Sequence, residues 1–295
     1  MENNIINTIT DKNFTESITF TLNYIMKNIF LSIDEHVYEI LDKIVFVDAN
    51  MFNLIFEKII SNTKGILLIS NALILGIIIF YSINYLFSHL FMSKIDSPYQ
   101  FIFKLIIFSI LMNSSFWICE QIIHIINLIT QAIQEIGNNI LGEEINFSNF
   151  IFKINTELYK ENFEINFISF EGIIKSFIST GFINLMFSYS LRYVMIQVFV
   201  ILSPFAFLCL INIKTEWFFK VWIKTFLSLL LEQVLIVIVL LLSFSFTYDN
   251  NVMSKLLYVG TIYALIKTNN YMYMLFGGIS TSVQSGINGL IKINR

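Results

Sequence analysis

The chain has 295 residues, of which 56% are hydrophobic and 13% are charged, with a formal net charge of −3 at pH 7. Ordinary soluble domains carry roughly 25% charged residues, so this composition excludes a soluble enzyme and indicates an integral membrane protein. A bilayer core about 30 Å thick is crossed by about 20 residues of helix, and apolar runs of that length therefore predict membrane spans.

Residues 1–64 precede the first long apolar run and predict an amphipathic helical region. Apolar residues recur there at helical spacing, for example Val37, Leu41 and Ile44, while Glu39 and Asp42 lie on other faces. Such a helix either packs against the membrane bundle of its own chain or contacts partner proteins or further copies. The pattern leaves both interpretations open.

Five apolar runs predict transmembrane helices, at about residues 65–91, 101–129, 177–211, 218–246 and 252–266. The fifth run is the shortest and the least apolar. The third belongs to the longer stretch Ile173–Ile211, which as one helix would rise about 58 Å. We therefore expect a tilted or interfacial lead-in, then a core span, and a break near Pro204, because proline removes a backbone donor.

The distribution of charge predicts the orientation of these spans. Lysine and arginine are enriched after spans one, three and five, and the positive-inside rule places those segments in the cytoplasm. The region 130–175 carries many more glutamates than lysines and is expected to form a long acidic loop outside the cell. The expected fold is an all-α, polytopic membrane bundle of about five spans in the cell membrane, with residues 1–64 outside and the tail 267–295 in the cytoplasm.

No pattern in the sequence is typical of an active site, a metal site or a nucleotide site, so we expect no catalytic residue, no cofactor, no metal and no enzymatic activity. The histidines His36, His89 and His124 are scattered over separate elements. The segment around Gly277 and Gly278 is rich in small residues but lacks the lysine and the strand–turn–helix setting of a phosphate loop. It predicts a flexible cytoplasmic segment that packs close to a partner.

Three charged residues fall inside predicted spans and are the main candidate functional residues, namely Glu120, Arg192 and Glu232. Each would cost several kcal/mol if it stood unpaired in lipid. One interpretation is an ion pair in which Arg192 bridges Glu232 or Glu120; the other is a polar lining for ions or a substrate. Gln233 lies beside Glu232 and extends a predicted interhelical hydrogen-bond network. A polar notch at 113–115 interrupts the second run.

The segment 191–207 reads LRYVMIQVFVILSPFAF, and it is followed by WFFKVW at 217–222. This combination resembles the TrbL-type family, the polytopic inner-membrane channel components of conjugative type IV secretion systems, in the version found on Gram-positive mobile elements. In that family an arginine begins an apolar helix that ends in a proline turn, and a tryptophan-bearing start of the next helix follows. Arg192, Pro204 and Trp222 occupy those places.

The resemblance covers about residues 185–280, and it includes Glu232, Gln233 and the segment that ends in Gly277 and Gly278. It implies a structural, non-enzymatic channel subunit that helps DNA and protein across the cytoplasmic membrane, driven by separate ATPases. The implied partners are membrane lipid, other secretion-channel subunits and further copies in a homo-oligomer, with transient contact to translocated single-stranded DNA or a relaxase. The alternative is a secondary transporter or ion channel that uses Glu120, Arg192 and Glu232, although the chain contains no internal repeat.

Overall fold

The computed structural model describes residues 2–47, 65–91, 97–158, 169–246 and 252–276. Within these ranges the chain is helical and has no strand. The helices, in chain order, are α1 Glu2–Val45, α2 Ile66–Phe91, α3 Pro98–Asn113, α4 Ser115–Leu141, α5 Phe147–Leu158, α6 Phe170–Leu208, α7 Glu216–Ser245 and α8 Val252–Phe276. A short 3-10 turn, Cys209–Ile211, follows α6.

Four of the described helices are long and apolar enough to cross a membrane, judged by length and composition: Ile66–Ser88, Ser115–Leu141, Gly172–Ile211 and Glu216–Ser245. This confirms the predicted class, an all-α polytopic membrane bundle. The predicted fifth span, 252–266, lies inside α8, which is helical but is not one of the four. Polar residues such as Lys255, Lys267 and Asn269 dilute the apolar character of α8. The orientation of the spans remains a prediction.

The second predicted span, 101–129, differs from the structure. The helix is interrupted at Ser114, whose φ of −91° and ψ of 2° depart from helical values, so that α3 ends at Asn113 and α4 begins at Ser115. Short polar side chains compete with the backbone for hydrogen bonds, as Asn113 does by donating from Nδ2 to the Ser109 carbonyl at 2.9 Å. The polar notch at 113–115 is therefore a junction between two helices.

The expected break near Pro204 is absent, and this prediction was wrong. Helix α6 continues past Pro204 to Leu208, and only then tightens into the 3-10 turn. Proline lacks one N–H donor, and the single missing bond at Pro204, four residues before the end of α6, does not interrupt the helix. The Thr215 hydroxyl then donates to the Cys209 carbonyl at 2.7 Å, which helps to satisfy the end of the helix.

The predicted acidic loop, 130–175, is largely helical in its described residues, 130–158 and 169–175, while residues 159–168 lie outside the described part. Helix α4 runs on to Leu141 and α6 begins at Phe170, while α5 occupies 147–158 between them. Residues 147, 150, 151 and 154 of α5 are all fully buried. Their spacing is that of one helix face, which explains why this segment folds onto the protein despite its charged neighbours.

The predicted amphipathic helix in residues 1–64 is present as α1, within the described residues up to 47; residues 48–64 lie outside the described part. Its buried residues include Phe30, Val37, Leu41 and Val45. The carboxylate of Asp42, on the same helix, accepts from the backbone N–H groups of Phe147 at 2.7 Å and Ser148 at 3.1 Å. Asp42 thus caps the first turn of α5 from a different helix.

The chain divides into two compact units. The first comprises Met1–Val45, Ile133–Tyr189 and Ile236–Thr268, and the second comprises Phe46–Ala132, Ser190–Leu235 and Asn269–Arg295. Helices α4, α6, α7 and α8 each contribute residues to both units. The first unit has an aromatic core in which the ring of Phe150 contacts those of Phe182, Phe244 and Tyr258. The fully buried Lys175 also lies in this unit and donates to Asn155 Oδ1 at 2.7 Å.

Helices α6 and α8 come into close contact in the first unit at Gly181. A Cβ added at Gly181 would lie 2.5 Å from Cγ2 of Ile262, whereas one added at Gly260 of α8 would meet nothing within 4 Å. We expect Gly181→Ala to destabilise the protein by about 1–3 kcal/mol, because the branched Ile262 cannot swing away. Gly260→Ala, the matched control, should be neutral or stabilise by up to about 1 kcal/mol. Thermal unfolding in detergent measures both, and equal effects would contradict this packing.

Candidate functional site

The candidate site is a set of polar side chains enclosed by α4, α6 and α7 in the second unit. Arg192 of α6 is fully buried, and Glu232, Gln233 and Thr130 are each only 1% exposed. Charged and amide groups keep such positions only when their polar atoms find partners. The geometry around Arg192 supplies these partners.

The guanidinium of Arg192 contacts three groups on α7 through hydrogen bonds and an ion pair. Its Nε donates to the Leu229 carbonyl at 2.8 Å and lies 3.6 Å from Oε2 of Glu232. Its Nη2 donates to Oε1 of Gln233 at 3.4 Å. Residues 229, 232 and 233 are three and four positions apart and therefore share one face of α7. The planar, forked guanidinium can reach all three at once, which a lysine ammonium in its place would not reproduce.

The network continues from α7 to α4 through the amide of Gln233. Nε2 of Gln233 donates to Oγ1 of Thr130 at 3.1 Å, and the Thr130 hydroxyl donates to the Ile126 carbonyl at 2.9 Å. A continuous chain of hydrogen bonds therefore ties α6 to α7 and α7 to α4. Thr130 was not a candidate in the sequence, because a single threonine on an apolar helix gives no signal until its neighbours in space are known.

The two carboxylates that the sequence offered to Arg192 lie in different environments. The structure pairs Arg192 with Glu232, and it leaves Glu120 half-buried. In the part of the chain that the structure describes, no hydrogen bond or ion pair joins Glu120 to Arg192. The structure thus brings together three of the predicted polar residues and leaves Glu120 outside their network.

Trp222 and Pro204 lie in the apolar part of the same unit. The indole N–H of the buried Trp222 donates to the Phe199 carbonyl of α6 at 2.9 Å. The indole also stacks on the ring of Phe226, with centroids 5.4 Å apart, and contacts the ring of Phe207 at 5.8 Å. Pro204 is buried on α6, within the same helical segment. Trp222 therefore links the first turns of α7 to the C-terminal part of α6 through a hydrogen bond and ring contacts.

Gly277 and Gly278, the last predicted positions, lie outside the described residues. Among the residues that are described, no group of three or more His, Cys, Asp or Glu side chains comes together in a way that could hold a metal ion. The arrangement around Arg192 neutralises charge and joins helices.

Comparisons of the chain with protein-family models, with curated proteins and with solved structures found no match. The observations that bear on function are therefore the membrane-spanning character of the helices and the geometry of this buried network.

Proposed function

We propose that this protein is a structural subunit of a membrane-spanning conjugative type IV secretion channel, which helps DNA and protein to cross the cytoplasmic membrane. One observation carries the proposal: Arg192, Trp222, Glu232 and Gln233, which bear much of the resemblance to TrbL-type proteins, all bond across helices within one chain. In such a role they hold the bundle together and carry out no chemistry.

The burial of the charges favours this role over ion transport by the same residues. A carboxylate that binds and releases ions has to be accessible at some point of the cycle. Glu232 is instead almost fully buried and lies against the guanidinium of Arg192, so each charge is compensated by the other. Under the proposal, several copies and other secretion subunits surround the path of the substrate, and separate ATPases supply the energy.

Membrane topology forms part of the proposal. Residues 1–64 and the region around α5 face outside and contact neighbouring components. The predicted fifth span, 252–266, also crosses the membrane, and the tail 267–295 therefore lies in the cytoplasm. Translocated single-stranded DNA or a relaxase would touch the subunit only in passing.

The test is conjugative transfer from a donor strain in which the gene is deleted and then restored. We expect deletion to abolish transfer and the wild-type gene to restore it. Trp222→Ala should lower transfer together with the amount of protein in the membrane, because the hydrogen bond and the ring contacts between α6 and α7 are lost. Lys220→Ala is the matched control on α7, since Lys220 is 65% exposed and pairs with Glu216 one turn away.

Transfer that is unchanged by deletion would overturn the proposal. Ion or solute flux through vesicles that contain the purified protein would then test the transporter alternative. A flux abolished by Glu120→Gln in a folded protein would favour that alternative.

A further inference from the structure

Helices α2 and α3 form an antiparallel hairpin in the second unit. The ring of Tyr81 stacks on that of Phe101 with centroids 3.6 Å apart, and Asn71 bonds to Asn113. The later residue of α2 thus contacts the earlier residue of α3, which shows that the two helices run in opposite directions. On its outward side the hairpin carries a row of exposed residues at helical spacing, which we call the hairpin face: Asn71, Leu75 and Ile78 of α2 with Ile102, Ile106, Ile110 and Asn113 of α3.

Helix α2 is far less buried than the other long apolar helices. Only 6% of its apolar span is buried, against 50% and 56% for the spans in α6 and α7. It packs on the core of the second unit through one side, with Leu67, Ile74, Ile77 and Tyr81. On α2 the hairpin face borders that side, since Asn71 and Ile78 lie about 60° and about 40° from Ile74 around the helix, but its residues are exposed. Lipid chains would solvate its leucine and isoleucines, but they would form no hydrogen bonds with its two asparagines.

The asparagines bond to each other but retain unused hydrogen-bonding capacity. Asn71 Nδ2 donates to Asn113 Oδ1 at 3.2 Å, and Asn113 Nδ2 donates back to Asn71 Oδ1 at 3.4 Å. Asn113 Nδ2 uses its second hydrogen on the Ser109 carbonyl. Since an amide has two donor hydrogens and a carbonyl oxygen with two lone pairs, one hydrogen of Asn71 has no acceptor among the described residues, and both oxygens can accept again. Hydrocarbon chains offer no partner for these groups.

We propose that the hairpin face binds the same face of a second copy of this chain, so that the Asn71–Asn113 pairs of the two copies bond to each other across a two-fold axis. A carboxamide is both donor and acceptor, which makes an identical amide a complementary partner. The rest of the face is apolar and uncharged, so two copies can approach without repulsion. The inference rests on the proposed function in that a conduit needs more than one copy; a two-fold contact joins copies in pairs, and it needs no other secretion protein.

Cysteine cross-linking tests the contact in membranes of a host that lacks all other secretion genes. Leu75→Cys lies on the hairpin face, and we expect oxidation to produce a disulfide-linked dimer. Phe80→Cys is the matched control, because Phe80 is 58% exposed against 64% for Leu75 but lies about 140° away around α2. The unsubstituted chain, with Cys119 and Cys209, gives the background.

The asparagines are tested in the Leu75→Cys background. Asn71→Leu combined with Asn113→Leu should lower the cross-linked fraction about fivefold, because the bonds between the copies are lost. Asn84→Leu should leave it unchanged, since Asn84 of α2 donates to the Phe80 carbonyl of its own helix. Elution volume and melting temperature in detergent report whether each variant is folded.

The absence of a dimer at Leu75→Cys, equal cross-linking at Phe80→Cys, or a product with a different protein would each overturn the inference. The outcome is separable from that of the proposed function. A specific dimer in a protein that conjugation does not need would leave the contact standing and remove the secretion role. A protein needed for transfer but never cross-linked would do the reverse.

Discussion

Replacement of Arg192 by methionine is expected to destabilise the protein by about 3–5 kcal/mol, because it leaves the carboxylate of Glu232 buried and without its counter-charge. The substitution also removes the donors to the Leu229 carbonyl and to Gln233. Unfolding in mild detergent, followed by the loss of the monodisperse peak with temperature, measures the change. We expect the same substitution to lower the amount of protein in the membrane.

A double-mutant cycle separates the ion pair from the rest of the site. Arg192→Met combined with Glu232→Gln should be less destabilised than Arg192→Met alone, because no buried charge is then left uncompensated. The control cycle uses Lys220 and Glu216 on α7, which form an exposed pair at 2.8 Å. Lys220→Met should change stability by no more than about 0.5 kcal/mol.

Equal stability of Arg192→Met and the double variant would contradict this account. It would mean that the loss of Arg192 does not leave an uncompensated buried charge at Glu232, because the carboxyl group is neutral or because water reaches it. A large effect of Lys220→Met would instead show that the assay responds to charge in general.

The sequence was sufficient to predict the membrane class because that prediction depends only on apolar length. The hydrocarbon core requires about 20 apolar residues in any spanning helix, whatever lies beside it. For the same reason Arg192, Glu232 and Gln233 could be identified as a polar group in an apolar setting. The choice between Glu232 and Glu120 could not be made, because it depends on which faces of α4, α6 and α7 meet.

The features that sequence reasoning missed depend on contacts between segments far apart in the chain. The polar notch at 113–115 did not by itself indicate that the run would divide at Ser114 into α3 and α4, since long apolar stretches lie on both sides of the notch. The effect of Pro204 was overestimated because a proline removes only one hydrogen bond from a long helix, which the remaining bonds and neighbouring helices can hold together. Thr130 and Asp42 each act on a helix other than their own, and a single polar residue carries no sign of its distant partner.

The resemblance to TrbL-type proteins and the structure concern the same residues but answer different questions. The resemblance implies a conjugation channel, and it remains a hypothesis for this chain. The structure explains what Arg192 and Trp222 do physically: each donates to a backbone carbonyl on the other helix of the α6–α7 pair, Leu229 for Arg192 and Phe199 for Trp222. Such reciprocal bonds fix the two helices against rotation and sliding, which any channel built from this bundle would require.

Removal of the Asp42 carboxylate should loosen α5. In Asp42→Ala the N–H groups of Phe147 and Ser148 lose their acceptor at the positive end of the helix dipole, and the Ser148 hydroxyl loses its bond at 2.8 Å as well. We expect a local destabilisation of about 2–4 kcal/mol from the loss of three charge-assisted bonds, two of which form the cap. Hydrogen–deuterium exchange of peptides that cover α5 measures it, and exchange should be faster by about thirtyfold or more.

Two comparisons make the Asp42 result specific. Asp42→Asn keeps one oxygen acceptor but loses the charge, so exchange in α5 should fall between those of the wild type and of Asp42→Ala. Glu16→Ala removes an exposed carboxylate from the same helix, α1, and should leave α5 unchanged. Since Asn146 still caps the N–H of Asn149 at 2.7 Å, the helix is expected to persist with a frayed first turn. Unchanged exchange in Asp42→Ala would mean that burial of Phe147, Phe150 and Ile151 holds α5 without the contact from α1.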